Sequence, residues 1–188
     1  MRIIGGKWRG RRLAAPEGHA VRPTGDRVRE ALFNILQHGG YQAGGGSPLP
    51  GARVLDGFAG TGALGLEALS RGAGHATFIE KDRVAQRTLE ANIAGCDAAD
   101  QATVLRADCL APPRANAACG LIFLDPPYGG GLAAPALAAL SDAGWLAEDA
   151  LCSVELGIKE DFTAPGGFTM LDDRRYGAAR IVILRIGA

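Results

Sequence analysis

An α/β fold built on a doubly wound, mostly parallel sheet is what this sequence predicts, and three observations predict it. From residue 52 onward, short apolar runs alternate with amphipathic stretches of helical spacing. The first of these runs opens directly into a glycine-rich turn between Gly57 and Gly65. Acidic residues then stand at or just beyond the ends of successive runs, as Asp56, Glu80, Asp108 and Asp125. In open α/β sheets the carboxyl ends of the strands are where ligands bind. At 188 residues and 47% hydrophobic, the chain has the size of one domain with a full core.

The elements follow in order. Residues 1–23 form a basic segment in which Arg2-Ile3-Ile4 and residues 8–13 flank Gly5-Gly6, a pattern for a small β-hairpin extension. Thr24 is the expected N-cap of a helix. Its apolar positions Val28, Ala31, Leu32, Ile35 and Leu36 recur at helical spacing and stop at Gly39-Gly40. Residues 41–51 are rich in Gly, Ser and Pro and predict a loop. Strands are then expected at 52–56, 76–80, 102–106, 120–124, 151–156 and 180–186, with a further one near 168–171. Helices are expected at 63–71, 82–94 and 132–143.

Formal net charge is zero, with 20 basic and 20 acidic residues, so the total says nothing about partners. The distribution does. Residues 1–30 carry eight Lys/Arg against three acids, a balance of +5 that leaves −5 for the rest. A basic arm on a mildly acidic body suits contact with a polyanion through one end. Cys96, Cys109, Cys119 and Cys152 form no C-x-x-C pair, and with three scattered histidines they give no metal-site signature. The start Met-Arg-Ile-Ile-Gly-Gly is no signal peptide, and no apolar run approaches a membrane span. The chain reads as a cytoplasmic protein with free thiols, and nothing in it demands more than a monomer.

Gly60, Gly62 and Gly65 match G-x-G-x-x-G, and Glu80 lies 20 residues beyond Gly60. Taken alone, this spacing also fits a dinucleotide site. Two details favour S-adenosylmethionine instead. Asp56 ends the strand just before the glycines, where a carboxylate repels a pyrophosphate but suits an ammonium group. Phe58-Ala59 also lengthens the turn. Glu80 is then a candidate acceptor for both ribose hydroxyls, and Asp108, beside Cys109, for the adenine amino group.

The apolar run 121–124 ends in Asp125-Pro126-Pro127-Tyr128, followed by Gly129-Gly130-Gly131. Each proline restricts the residue before it to extended conformations. The prolines also offer no N–H, so the turn presents acceptors. An amino group on an aromatic ring is a poor nucleophile because its lone pair is delocalised. The Asp125 carboxylate and the Pro126 carbonyl can accept the amino hydrogens and stabilise charge on the nitrogen, while Tyr128 stacks on the ring. Such a base has to be unpaired or flipped out.

These blocks resemble a known group. Residues 54–67, Ile79-Glu80-Lys81-Asp82 and Asp125-Pro126-Pro127-Tyr128 are similar to the motifs of class I S-adenosylmethionine-dependent methyltransferases. Residues 2–13 and 22–34 narrow the resemblance to the RsmD family, which methylates a guanine N2 in bacterial 16S ribosomal RNA. The resemblance implies a seven-stranded sheet whose last strand is antiparallel, with Asp125 at the catalytic position. It divides the chain into an RNA-contacting extension (1–23) and a methyltransferase domain (24–188). The implied cofactor residues are Asp56, Phe58, Ala59, Gly60, Gly62, Glu80, Lys81, Asp108 and Cys109. Asp125, Pro126, Pro127 and Tyr128 form the catalytic set. Lys7, Arg9, Arg11 and Arg12 are candidates for phosphate contact, Trp8 for stacking on RNA or packing on the body, and Arg22 and Arg27 for the base pocket or a helix-end ion pair. Gly57 departs from the family's larger apolar residue, and residues 44–48 look like a local insertion. Three alternatives stay open: a relative acting on DNA adenine or protein glutamine, a catalytically silent RNA-binding relative, and a nicotinamide oxidoreductase resting on the glycine match alone.

Overall fold

In the computed structural model the described residues are 1–15, 25–42 and 45–187; Thr24, the expected N-cap, and Gly44 lie outside them. Helix α1 (Asp26–His38) precedes the alternating series β1 (Arg53–Gly57), α2 (Ala63–Ser70), β2 (His75–Ile79), α3 (Arg83–Gly95) and β3 (Ala102–Leu105). Then come β4 (Cys119–Leu124), α4 (Ala133–Asp142), β5 (Leu146–Gly157), β6 (Phe168–Tyr176) and β7 (Ala179–Ile186). The seven strands lie in the order β3-β2-β1-β4-β5-β7-β6. Strands β1 to β5 pair in parallel, and β7 runs antiparallel between β5 and β6.

Alternation along the strands sends their side chains to two cores. On one face Val54, Leu121, Phe123, Leu151, Ile181 and Ile183 pack with Phe33 and Leu36 of α1, Leu66 and Leu69 of α2 and Leu89 of α3. On the other, Leu55, Ile122, Leu124, Cys152, Val154, Val182 and Leu184 pack with Ala136, Leu137 and Leu140 of α4. Helix α3 starts one residue later than the expected 82, because Asp82 caps it instead: its side chain accepts from the N–H groups of Val84 and Ala85 at 2.9 and 2.8 Å.

The N-terminal segment is less regular than a hairpin. Among the described residues 1–15 its antiparallel pairing is a single bridge, Arg2 with Arg12, closed by a 3-10 turn at Gly6–Trp8. It is nevertheless built into the body, because Ile3 and Leu13 are buried in the first core. Glu67 holds it there. This fully buried carboxylate of α2 accepts from the N–H groups of Ile4 and Gly5 at 2.7 and 2.8 Å and from Arg71 Nε at 2.7 Å. Arg29 Nε of α1, also fully buried, stands 3.9 Å away.

Candidate active site

The register builds one working edge. Gly57 of β1 pairs with Ile79 of β2 and with Leu124 of β4, so Glu80 and Asp125 leave their strands at the same level on either side of the glycine loop. Ile79 pairs in turn with Leu105, which places Asp108 three residues further along the same edge. The sheet thus brings together four of the acids marked by the sequence.

They differ in environment. Asp56 is turned inward, 1% exposed, and its Oδ2 accepts the Gly65 N–H at 2.8 Å. Burial pushes its carboxyl well above the usual range, and the charges of Asp125 and Glu80 add to this against the Gly65 hydrogen bond. Asp56 therefore fixes the first turn of α2 from behind the loop. Glu80 is half-buried, and its two oxygens accept the N–H groups of Gly60 and Asp82, each at 2.8 Å. Every carboxylate oxygen has a second lone-pair site, so Glu80 is oriented without being used up. Asp108 Oδ1 accepts the Leu110 N–H at 3.0 Å, and its Oδ2 lies 3.1 Å from Lys81 Nζ. The Leu110 hydrogen bond, with Lys81, holds the Asp108 carboxyl below its ordinary range. Lys81 is exposed and serves Asp108.

The loop between these acids is shaped by backbone. Phe58 sits at φ 57°, Gly60 at 54° and Gly62 at 78°; at Gly62 a side chain would also run into Leu89. Ala59 donates to the Ile79 carbonyl at 3.1 Å. Above Gly60 there is open space, with nothing nearer to a side-chain position there than the Phe58 carbonyl at 3.9 Å. Cys109 lies beneath, where its Sγ accepts the Phe58 N–H at 3.3 Å. Burial pushes that thiol up to about 12, so it supports the loop as a neutral group. Gly57 leaves no gap in place of a larger residue, because Leu124 and the Cys109 sulfur close over it.

Beyond Asp125, which is half-buried, Pro126 is buried while Pro127 and Tyr128 are exposed. The Tyr128 hydroxyl donates to Glu155 Oε1 of β5 at 2.5 Å. Glu160 accepts from the N–H groups of Gly129, Gly131 and Gly157 at 3.1 to 3.3 Å, tying the glycine stretch to the end of β5. Ile158 N–H donates to the Ala178 carbonyl at 3.0 Å, so the Tyr176-Gly177 turn reaches this edge too. The sequence reading missed Glu67, Glu155 and Glu160. For the first two a signal existed: each is a lone acid inside an apolar stretch.

The basic residues do not all gather here. Arg2, Arg9 and Arg27 line one cleft with Asp26 and Glu30. Asp26 pairs with Arg2 at 3.6 Å and Arg29 at 3.0 Å. Arg12, the bridge partner of Arg2, is exposed. Lys7 and Arg11 reach the opposite edge. Lys7 Nζ donates to Gln101, just before β3, and Arg11 to the Gly95 carbonyl at the end of α3. Trp8 is half-buried, its N–H donates to Ser70 Oγ at 3.0 Å, and Lys7 Nζ lies 4.2 Å from its ring centre. Arg22 falls outside the described residues.

Residues 1–185 match the family described as Conserved hypothetical protein 95. The chain is 41% identical over 179 residues to "Ribosomal RNA small subunit methyltransferase D" of Escherichia coli strain K12, covering 94% of this chain and 85% of that protein. The protein of the same name from Haemophilus influenzae is 38% identical over 181 residues, covering 94% and 89%. The chain belongs to the RsmD family. Among solved structures, the Escherichia coli protein yhhF matches with a TM-score of 0.82 at 38% identity, covering 100% of this chain and 98% of that one. The RsmD-family assignment makes the chain a methyltransferase of the class I fold and sets aside the nicotinamide reading of the glycine loop. Among the described residues no helix is long and apolar enough to cross a membrane.

Proposed function

We propose that this RsmD-family enzyme transfers a methyl group from S-adenosylmethionine to the exocyclic N2 of a guanine in 16S ribosomal RNA. The reading places it in the cytoplasm as a monomer acting on an assembling small subunit. Residues 1–23 contact RNA, and residues 24–188 carry the reaction. The observation that carries the reading is the placement of Asp125 beside the glycine loop, through the pairing of Gly57 with Leu124.

The residues present fit the cofactor. The open space over Gly60 and the oriented Glu80 carboxylate suit a ribose, and Asp108, held charged by Leu110 and Lys81, suits an amino group on a purine. Asp56 supports that loop from behind. S-adenosylmethionine supplies an electrophilic methyl group on a positively charged sulfur.

The chain's own residues do the rest. Asp125 and the Pro126 carbonyl accept the two hydrogens of the guanine amino group, which favours a pyramidal nitrogen with its lone pair directed outward. As that nitrogen becomes positive, the Asp125 carboxylate stabilises it in a site whose acceptors are already in place, and would then take one of the two amino protons so that the methylated nitrogen ends neutral. Tyr128 stacks on the base and holds it in line.

Labelled methyl transfer to unmethylated ribosomal RNA and to small subunits, with mapping of the product, tests this. Label on a guanine N2 is the expected result; label on an adenine, on a ring nitrogen or on protein overturns it. The basic arm carries its own prediction. Replacing Arg9, Arg11 and Arg12 together with Ala should reduce the slope of log affinity against log salt by roughly 2–3 for RNA, from about 0.7–0.9 for each lost phosphate contact. An unchanged slope removes the arm from the RNA contact.

A further inference from the structure

A carboxylate inside a sheet is costly unless it is well partnered, and β5 carries one. Glu155 is 6% exposed between Val154 and Leu156, which are 0% and 1% exposed. Because Leu124 pairs with Val154, Glu155 stands beside Asp125 on the neighbouring strand. Both project to the same face of the sheet. Glu155 accepts from the Tyr128 hydroxyl at 2.5 Å, yet Tyr128 as a whole is 46% exposed. Tyr128 opens onto three consecutive glycines, two of them at φ 75° and 60°, and its side chain lies against Gly157. The ring is thus presented to solvent beside a glycine stretch whose N–H groups Glu160 holds, and its own hydroxyl is anchored to a buried acid.

We infer that Glu155 is a positioning residue for the acceptor base: its carboxylate anchors the Tyr128 hydroxyl and fixes the ring as a preset platform beside Asp125. The inference rests on the reading of Asp125-Pro126-Pro127-Tyr128 as the acceptor site. A stacking ring held in one orientation before the base arrives spares the ordering cost that a mobile ring meets on binding. Glu155 itself need not touch the RNA. The anchor is also selective for this side chain, since phenylalanine would stack equally well and offer no hydroxyl to the acid.

Steady-state methylation of unmethylated ribosomal RNA by the full chain tests this, with Glu155→Ala, Glu155→Gln, Tyr128→Phe and the Glu155→Ala/Tyr128→Phe pair. Glu155→Ala and Tyr128→Phe should each lower kcat/KM for RNA roughly tenfold or more, the size expected for a hydrogen bond to a charged group. The loss should appear mainly as a raised KM for RNA, with S-adenosylmethionine affinity by calorimetry unchanged. The double variant should be no worse than the weaker single one, because both remove the same bond. Glu155→Gln, which keeps an acceptor oxygen without the charge, should recover part of the loss and guards against a folding defect in the alanine variant. Losses that multiply in the double variant, a wild-type KM in Glu155→Ala, or no recovery in Glu155→Gln overturn the inference. Asp125→Ala run alongside separates the two levels. If it remains active, the acceptor-site reading falls; if it is dead while Glu155→Ala is normal, only the role of Glu155 falls.

Discussion

Asp125→Ala should cut methyl transfer by roughly 10²–10³-fold, the range seen when one preorganised group facing a developing charge is removed. Calorimetric affinity for S-adenosylmethionine should stay close to wild type, because on the proposed reading Asp125 serves the acceptor while Glu80 and Gly60 serve the cofactor. Loss of rate at preserved cofactor binding marks an interaction made in the transition state. Asp125→Asn, which keeps an acceptor oxygen without the charge, should fall between the two. Removing this charge also relieves Asp56, whose raised carboxyl pKa owes part of its shift to Asp125. Turnover near wild type in Asp125→Ala would sink the catalytic assignment.

Glu67→Ala should cost the fold about 3–5 kcal/mol, the range for breaking a buried charged pair by removing one partner. Glu67 binds Ile4 and Gly5 through their N–H groups and Arg71 through its guanidinium, and it faces Arg29, itself 0% exposed. Its loss leaves Arg29 buried without this counter-charge and unhooks the N-terminal segment from α2. Urea unfolding reads the effect as a lowered midpoint. Limited proteolysis should cut within residues 1–15 faster in the variant. A destabilisation below about 1 kcal/mol, the scale of an exposed pair, would show that Glu67 is not the anchor.

Much of this was legible in the sequence because it is local. The strand ends at Asp56, Glu80 and Asp125 are changes from apolar to acidic residues within one or two positions, and the helix start at Asp82 follows from its own side chain. What escaped the reading is tertiary or polar. Strand β5 begins at Leu146, five residues earlier than its apolar run, because Ala147, Glu148 and Asp149 show no buried alternation. Strand β6 continues to Tyr176 through Asp172, Asp173, Arg174 and Arg175, an edge strand that meets water and needs no apolar signature. Glu67 finds its backbone partners 62 and 63 residues away, and no local pattern encodes that. The same limit explains the placement of the basic residues, whose charge was plain from the sequence while their position on the body was not.

That placement has a consequence for how a substrate is told from a decoy. The chain from Met1 to Leu13 runs down the α2 face. Leu13 N–H donates to the Met1 carbonyl near the glycine loop, while Trp8 and Arg11 contact the far ends of α2 and α3. Helix α2 is eight residues long, about 12 Å. On the proposed reading, an RNA that fills the Asp125 site and also meets Lys7 and Arg11 has to cover that whole distance. A flipped guanine on a short fragment can satisfy the chemistry and nothing more. Discrimination would then work by reach, with the enzyme gauging the breadth of a folded target across one flank of the protein.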